Sequence, residues 1–389
     1  MKRAPEKPMR EARGAMLPRD FHKKRTRPDR GSREVSDMRT ILVMHPRPRN
    51  SFHTCSFHVR PRAISFLRMT SRPPVTVCVL NWNSGPLLER CLRAINAQRY
   101  PGELRVRVVD NASTDDSLER ALRHRPDTVL HRHARNLGFA KGLNPSLRDC
   151  DTPFIVLLNP DVFLGPDWIE RMVERMASDA DIAIAGCKLY YEDGTTLQHG
   201  GGRIHWPLAT PGHHGVGEPD TGQCDAPRDV DYVCAAAVML STTAVKDVGL
   251  FDENYFMYYE DVDWCFRARA AGYRVVYEPA ADAIHLESAT AVKDSPAYLR
   301  NIHASRLRFL LNHRSVNDLL AETLPAEPRI LKGMTTPDQR RALGHAYADT
   351  LAQLPPDTPA NLRRAFKDLR DHALNAPIAR LRRFFSSRK

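Results

Sequence analysis

Three segments place amides and carboxylates directly after short apolar runs. VTVCVL (75–80) is followed by Asn81-Trp82-Asn83. LRVRVVD (104–110) closes on Asp110 and continues as Asn111-Ala112-Ser113-Thr114-Asp115. PFIVLL (153–158) is followed by Asn159-Pro160-Asp161. A fourth segment, YYEDVDW (258–264), carries Glu260, Asp261 and Asp263 among aromatic rings. Taken singly, each has an ordinary explanation. Asn and Asp favour turns and helix caps, and acids at a helix start complement its dipole. Taken together, they outline chemistry. A carboxylate such as Asp161 can hold a divalent ion against a diphosphate, because Mg²⁺ takes one or two protein carboxylates plus phosphate oxygens. A carboxylate beside aromatic rings loses solvation, which raises its pKa and strengthens it as a general base. His285, closing the strand-like DAIH, can join Asp161 as a ligand of the same ion. Neither GxGxxG after the first strand nor GxxxxGK[ST] occurs, which argues against an ordinary dinucleotide site and a P-loop.

The elements that must position these residues alternate. Leu87, Leu88, Cys91, Leu92 and Ile95 recur at helical spacing after the first strand. The pattern predicts helices over 117–123, 138–149, 168–176, 261–271 and 298–312. It predicts further strands over 128–132, 181–189, 230–240 and 273–279. Such alternation implies right-handed crossovers and a mostly parallel sheet. Ligands of open parallel sheets bind beyond the carboxyl ends of the strands, where the clusters above stand. Residues 190–230, rich in Gly, His and Pro, predict a long irregular functional loop. Beyond 312 the chain reads as helical and weakly packed, with proline breaks at 355–359.

Composition narrows the class. Of 389 residues, 42% are hydrophobic, enough for a core and too many for a wholly disordered chain. The longest apolar stretches fall well short of the roughly 18 residues a membrane span needs. The net charge of +12 is a property of one end. Residues 1–72 hold 19 Lys and Arg against 6 Asp and Glu, whereas residues 73–389 hold 39 against 40. A basic, disordered N-terminal extension is expected, with two competing readings: a transit peptide, or a start of translation at Met69. The eight cysteines form no CxxC pair, so a structural zinc is not expected and a reducing, cytoplasmic compartment is. The last segment, 360–389, sets nine basic and two acidic residues among Leu362, Phe366, Leu369, Ile378, Leu381, Phe384 and Phe385. It reads either as a solvated end or as a helix resting peripherally on the inner face of an anionic membrane.

Residues 75–290 resemble an inverting, nucleotide-sugar-dependent family 2 glycosyltransferase of GT-A fold, closest to its rhamnosyltransferase-like branch. The matching text is VTVCVLNWN (75–83), VVDNASTD (108–115), NLGFAKGLN (136–144), LLNPDV (157–162) and GLFDENYFMYYEDVDWCFRARAAGY (249–273). The resemblance implies a GT-A domain over 73–300 and a helical C-terminal region over 301–389. It implies that Asn81, Asp110 and Asn111 hold the donor nucleoside, and that Lys141 and Asn144 lie in a segment closing over base or diphosphate. Asn159-Pro160-Asp161 stands for a D-x-D element, with Asp161 and His285 on Mg²⁺ or Mn²⁺. Asp261 is the implied catalytic base, with Glu260 preceding it. The implied donor is a dTDP- or UDP-sugar, rhamnose first, and the implied acceptor a cell-surface glycan or lipid-linked hydroxyl. Asn159 replaces the first acid of D-x-D, Ala235 stands where glycine is usual, Pro145 follows Asn144 and Trp264 replaces a usual Leu. Three other readings compete: a nucleotidyltransferase, which lacks its Gly-rich loop here; an inactive sugar-nucleotide-binding scaffold; and a nucleic-acid binder, disfavoured by the balanced charge of the body.

Overall fold

The computed structural model describes residues 72–287 and 294–375. The N-terminal extension with Met69, and the last residues of the basic C-terminal segment, lie outside the described residues. The first half alternates strictly: β1 (Val75–Asn81), α1 (Leu87–Asn96), β2 (Leu104–Asp110), α2 (Ser117–His124), β3 (Val129–Arg132), α3 (Phe139–Arg148) and β4 (Phe154–Leu158). β1 is apolar on both faces because helices cover it from both sides, as parallel strands require. Helix α1 buries Leu88, Cys91, Leu92 and Ile95, the stripe that its spacing predicts. Then follow β5 (Val162–Leu164), α4 (Trp168–Ala177), β6 (Ile182–Tyr190), β7 (Leu197–His199), β8 (Gly202–His205), β9 (Thr210–His213), β10 (Arg228–Asp229), β11 (Ala237–Ser241), α5 (Thr242–Val248), α6 (Glu260–Ala270) and β12 (Arg274–His285).

The main sheet runs β10-β12-β6-β11-β4-β1-β2-β3. β3, β2, β1 and β4 pair in parallel, as do β12 and β6. β11 lies antiparallel between β4 and β6. The carboxyl ends of six strands therefore share one edge, and the chain enters β11 at that same edge.

Three predicted elements differ from those found. The strand expected over 230–240 is paired only from Ala237 to Ser241. Its earlier apolar residues, Tyr232, Val233, Ala235 and Ala236, are buried by packing and not by strand pairing with β4 or β6. The stretch 190–230 is only partly irregular. It carries β7 to β10, short strands whose Gly and His content hides any apolar period. The strand expected to stop at 279 runs on to His285 through a register shift between Glu278 and Asp282, and then pairs with β5. That continuation delivers His285 to the neighbourhood of Asp161.

The C-terminal part is not weakly packed. Helix α7 (Pro296–His313) crosses the boundary expected at 300. Short helical turns from 316 to 333, α8 (Pro337–Gln353) and α9 (Ala360–Asn375) follow. Leu307, Phe309, Leu310 and Tyr347 belong to the same apolar core as Tyr259 and Trp264. Arg306 and Glu327 form a buried bidentate pair, at 2.7 and 2.9 Å. The Tyr347 hydroxyl donates to Glu327 Oε2 at 2.7 Å. The apolar face of α9 is spent internally, since Leu362 and Phe366 are buried. Among the described residues no helix is long and apolar enough to cross a membrane.

Removing one partner of a buried ion pair leaves an uncompensated charge. Glu327→Ala is expected to lower unfolding stability by about 3–5 kcal/mol, read from urea denaturation of the full chain. A loss below about 1 kcal/mol, in the range of an exposed pair, would show that the pair does not hold the helices.

Candidate active site

The end of β1 meets the end of β2 through side chains. Asn81 and Asp110 are register partners, and both are fully buried. Asn81 Nδ2 lies 3.0 Å from Asp110 Oδ1, Ser113 Oγ and Ser117 Oγ. Asp110 Oδ1 also accepts from Ser113 Oγ at 2.5 Å, and Oδ2 accepts from the Ser113 N–H at 3.1 Å. Arg132, at the end of β3, pairs with Asp110 Oδ2 at 3.1 Å. Asn111 donates to the Gly138 carbonyl at 2.9 Å. This fastens the start of α3 to the sheet. Gly138 is required there: its φ is +80°, and a Cβ would sit 2.1 Å from the Phe256 carbonyl oxygen.

Lys141 and Asn144 face elsewhere. Asn144 donates to the Phe251 carbonyl and to Glu253 Oε1 at 3.0 and 3.1 Å, and accepts from the Phe251 N–H at 3.1 Å. Lys141 is exposed, with Nζ 3.8 Å from Glu253. Both therefore tie α3 to the segment that leads into the acidic cluster. Pro145 is accommodated inside α3.

Asp161 and His285 are brought together. Asp161 Oδ1 lies 3.5 Å from His285 Nε2. The Leu286 N–H donates to the Asp161 carbonyl, joining the two segments. Gln198, on β7, faces His285 Nδ1 with Oε1 at 2.7 Å, while its Nε2 donates to the His285 carbonyl at 3.3 Å. The amide orientation is thus set, with Gln198 Oε1 accepting from Nδ1 and Nε2 facing Asp161. One carboxylate and one imidazole at this spacing could hold a divalent ion between them. Among the described residues no third His, Cys, Asp or Glu completes a cage. Phosphate oxygens and water would fill the remaining positions.

Glu260 and Asp261 open α6 after a strained turn in which Tyr258 and Tyr259 have φ of 71° and 64°. Non-glycine residues persist there only when their surroundings hold them. Tyr259 donates to the Ala209 carbonyl at 2.7 Å, and Ser305 of α7 donates to the Met257 carbonyl at 2.9 Å. The two adjacent carboxyls have unlike environments. Asp261 Oδ2 accepts from the Ala235 N–H at 3.0 Å, and Oδ1 from the Val262 N–H at 2.8 Å. Glu260 Oε2 is buried with no hydrogen-bond partner. Burial raises both pKa values. Backbone N–H groups pull Asp261 back down, while the neighbouring Asp261 charge pushes Glu260 further up, well above the carboxylate range. Asp261 is therefore the member that ionises first, and Glu260 the member that keeps the proton. Ala235 has no positive φ, so alanine serves where glycine was expected.

Asp263 belongs to the scaffold. Burial raises its pKa, but His313 and Arg267, at 2.9 and 2.8 Å, outweigh this and hold it low. Sequence reasoning missed Gln198 and Arg132, and it quoted Ser113 only as part of the polar run after β2. The predicted functional character of 190–230 pointed toward Gln198, and nothing marked Arg132.

The mostly parallel sheet, with carboxylates gathered at its carboxyl edge, has the GT-A fold. The solved structure of GalNAc-T7 with UDP, GalNAc and Mn²⁺ shares this fold. Its TM-score is 0.52 at 12% identity, covering 79% of this chain and 57% of that one. Residues 76–240 match the family model described as Glycosyl transferase family 2, so this part of the chain carries a glycosyltransferase domain. It is similar to the N-acetylglucosaminyl-diphospho-decaprenol L-rhamnosyltransferase of Mycobacterium tuberculosis, 27% identical over 263 residues, 61% of this chain and 84% of the relative. It is also similar to the pre-mycofactocin glycosyltransferase of that organism, 30% identical over 230 residues, 55% of this chain and 44% of the relative.

The unlike carboxyls separate two substitutions. Asp261→Asn is expected to lower turnover by about 10²–10⁴-fold, the span of general-base catalysis, while donor binding persists. Glu260→Gln mimics the protonated form and is expected to keep most activity at pH 7–8. Because the Asp261 pKa is raised and the ionised form is the base, turnover should rise with pH through a midpoint above the usual aspartate value. A pH–rate profile of sugar transfer checks this, and a midpoint near 4 would contradict it.

Proposed function

We propose that this glycosyltransferase moves a sugar, with inversion, from a nucleoside-diphosphate donor to a hydroxyl of a cell-surface glycan or lipid-linked acceptor. The observation that carries the reading is Asp261, the one partly exposed member of a buried acidic pair, held by two backbone N–H groups at the sheet edge that also bears Asp161 and His285. The similar mycobacterial relative is named for L-rhamnosyl transfer to a diphospholipid-linked N-acetylglucosamine. That supports rhamnose from a dTDP- or UDP-linked donor as the first choice.

Asp261 removes the proton of the acceptor hydroxyl. The oxygen then bonds to the anomeric carbon from the face opposite the nucleoside diphosphate, and the bond from that carbon to the phosphate oxygen breaks with its electron pair. Asp161 and His285 would hold Mg²⁺ or Mn²⁺, which when bound supplies positive charge to the departing diphosphate. Gln198 orients His285 for that task. The buried Asn81, Asp110 and Asn111 shape the floor beneath the nucleoside, their polar groups already engaged with the protein. Asn159, at the end of β4, keeps part of its side chain exposed. Holding donor and acceptor in line provides much of the acceleration.

The test is release of nucleoside diphosphate from UDP-, dTDP- and GDP-sugars, with and without Mn²⁺. Selective, ion-dependent release from one donor is expected, and failure of every nucleotide sugar to bind would overturn the reading. Gln198→Leu should raise the Mn²⁺ concentration for half-maximal release by about tenfold, the usual effect of losing a histidine's orienting partner. An unchanged Mn²⁺ requirement would remove Gln198 from the site.

A further inference from the structure

A group of tyrosines beside the acidic turn is not explained by donor binding or by the base. Tyr258 precedes Tyr259 in the strained turn, and its ring stands edge-on to that of Tyr298, in the first turn of α7, with centroids 5.3 Å apart. Glu287, two residues beyond His285, has φ of 50° and an exposed side chain. The carboxylate of Glu287 acts electrostatically on the hydroxyls of Tyr258, Tyr298 and Tyr191, and Glu260 acts on Tyr258 as well. Gln198, which orients His285, also reaches Glu287 Oε2 at 3.5 Å. The group therefore joins the Asp161–His285 pair at one side to the Glu260–Asp261 pair at the other, where an acceptor hydroxyl must stand. All three tyrosines are half-buried. Their hydroxyls have no hydrogen-bond partner among the described residues. A core tyrosine of this chain behaves differently: Tyr347 and Tyr259 each donate to a protein oxygen.

Resting on the transferase reading above, we propose that Tyr258, Tyr298, Tyr191 and Glu287 form the acceptor subsite, and that the group seated there is a pyranose ring. A pyranose has an apolar C–H face, which packs on aromatic rings, and a rim of hydroxyls, which needs carboxylate and hydroxyl partners. The four residues offer both. A polyprenyl chain would leave the Glu287 carboxylate desolvated without a partner. A phosphate at this position would meet the like charge of Glu287. The lipid or phosphate portions of an acceptor therefore lie outside this subsite, and the sugar itself is what is read here.

The experiment uses the full chain with the donor found by the hydrolysis panel, Mn²⁺, and methyl glycosides of N-acetylglucosamine, glucose, galactose and rhamnose as acceptor probes. Saturation-transfer NMR reports binding, and product formation reports KM. Magnetisation should reach the ring protons of at least one glycoside. Tyr298→Ala should raise its KM by about tenfold, the scale of one aromatic contact, and Tyr298→Phe should keep it within about twofold. Glu287→Gln should also raise the acceptor KM, and donor half-saturation and slow donor hydrolysis should be unchanged in both Tyr298 variants. If the glycoside KM is indifferent to Tyr298→Ala and Glu287→Gln, or if the wild type binds donor but no pyranoside, the subsite assignment is wrong and the transferase reading stands. If no nucleotide sugar binds at all, the reading beneath it fails instead.

Discussion

The Ala235 N–H donates to Asp261, and the carbonyl of the next residue, Ala236, accepts from the Asn159 N–H at 2.9 Å. Two consecutive residues ahead of β11 thus fasten the start of α6 to the turn that carries Asp161. Most of the site's geometry depends on this. Because β11 runs antiparallel between β4 and β6, its approach lies at the edge where the parallel strands end. The backbone there has one N–H to give to the acidic helix and one carbonyl to accept from the Asn159 turn. The same bond decides the electrostatics. It favours the charged form of Asp261, while Oε2 of its buried neighbour Glu260 has no hydrogen-bond partner.

The C-terminal helices support that arrangement from behind. The Arg306–Glu327 pair is not only internal to them, since Arg306 Nη1 also donates to the Leu208 carbonyl at 2.9 Å. Thr323 donates to the Pro207 carbonyl at 3.0 Å, and Tyr259 to that of Ala209. The segment 207–209 is therefore held by the helices on one side and holds the strained turn on the other. Two left-handed tyrosines in sequence would relax if exposed to solvent. Here hydrogen bonds from Ser305 and Tyr259 keep the turn in place, so α6 starts with its carboxyls directed at the strand ends. The helices beyond 312 are part of the site's mechanical frame, which their polar, proline-broken sequence does not suggest.

The candidate site was legible to unequal degrees. Asp161 and Asp261 were readable because each follows a pattern that local sequence sets: an amide or acid directly after a buried apolar strand, and acids at a helix start. Asn81, Asp110 and Asn111 were readable as a group for the same reason, but not their state. Only in the fold do their polar atoms turn toward each other, Ser113 and Gly138. Asn144 was read from a motif, and its amide proves to be engaged by Phe251 and Glu253, residues more than a hundred positions away. Gln198, Tyr191, Tyr298 and Glu287 carry no local signature, since they reach one place from β7, the end of β6, the start of α7 and the end of β12.

Apolar periodicity, strand–helix alternation and the residues that end each strand were enough to determine an α/β sheet with its chemistry at the carboxyl edge. Such features depend on neighbours within a few positions, where spacing alone governs which side chains are buried. The tertiary structure alone decided which carboxyl of the adjacent pair ionises, which nitrogen of His285 faces Asp161, and which tyrosines remain open to a ligand. Each of those outcomes depends on a single hydrogen bond or burial contact made across the fold, and residues distant in the chain leave no periodic trace of where they will meet.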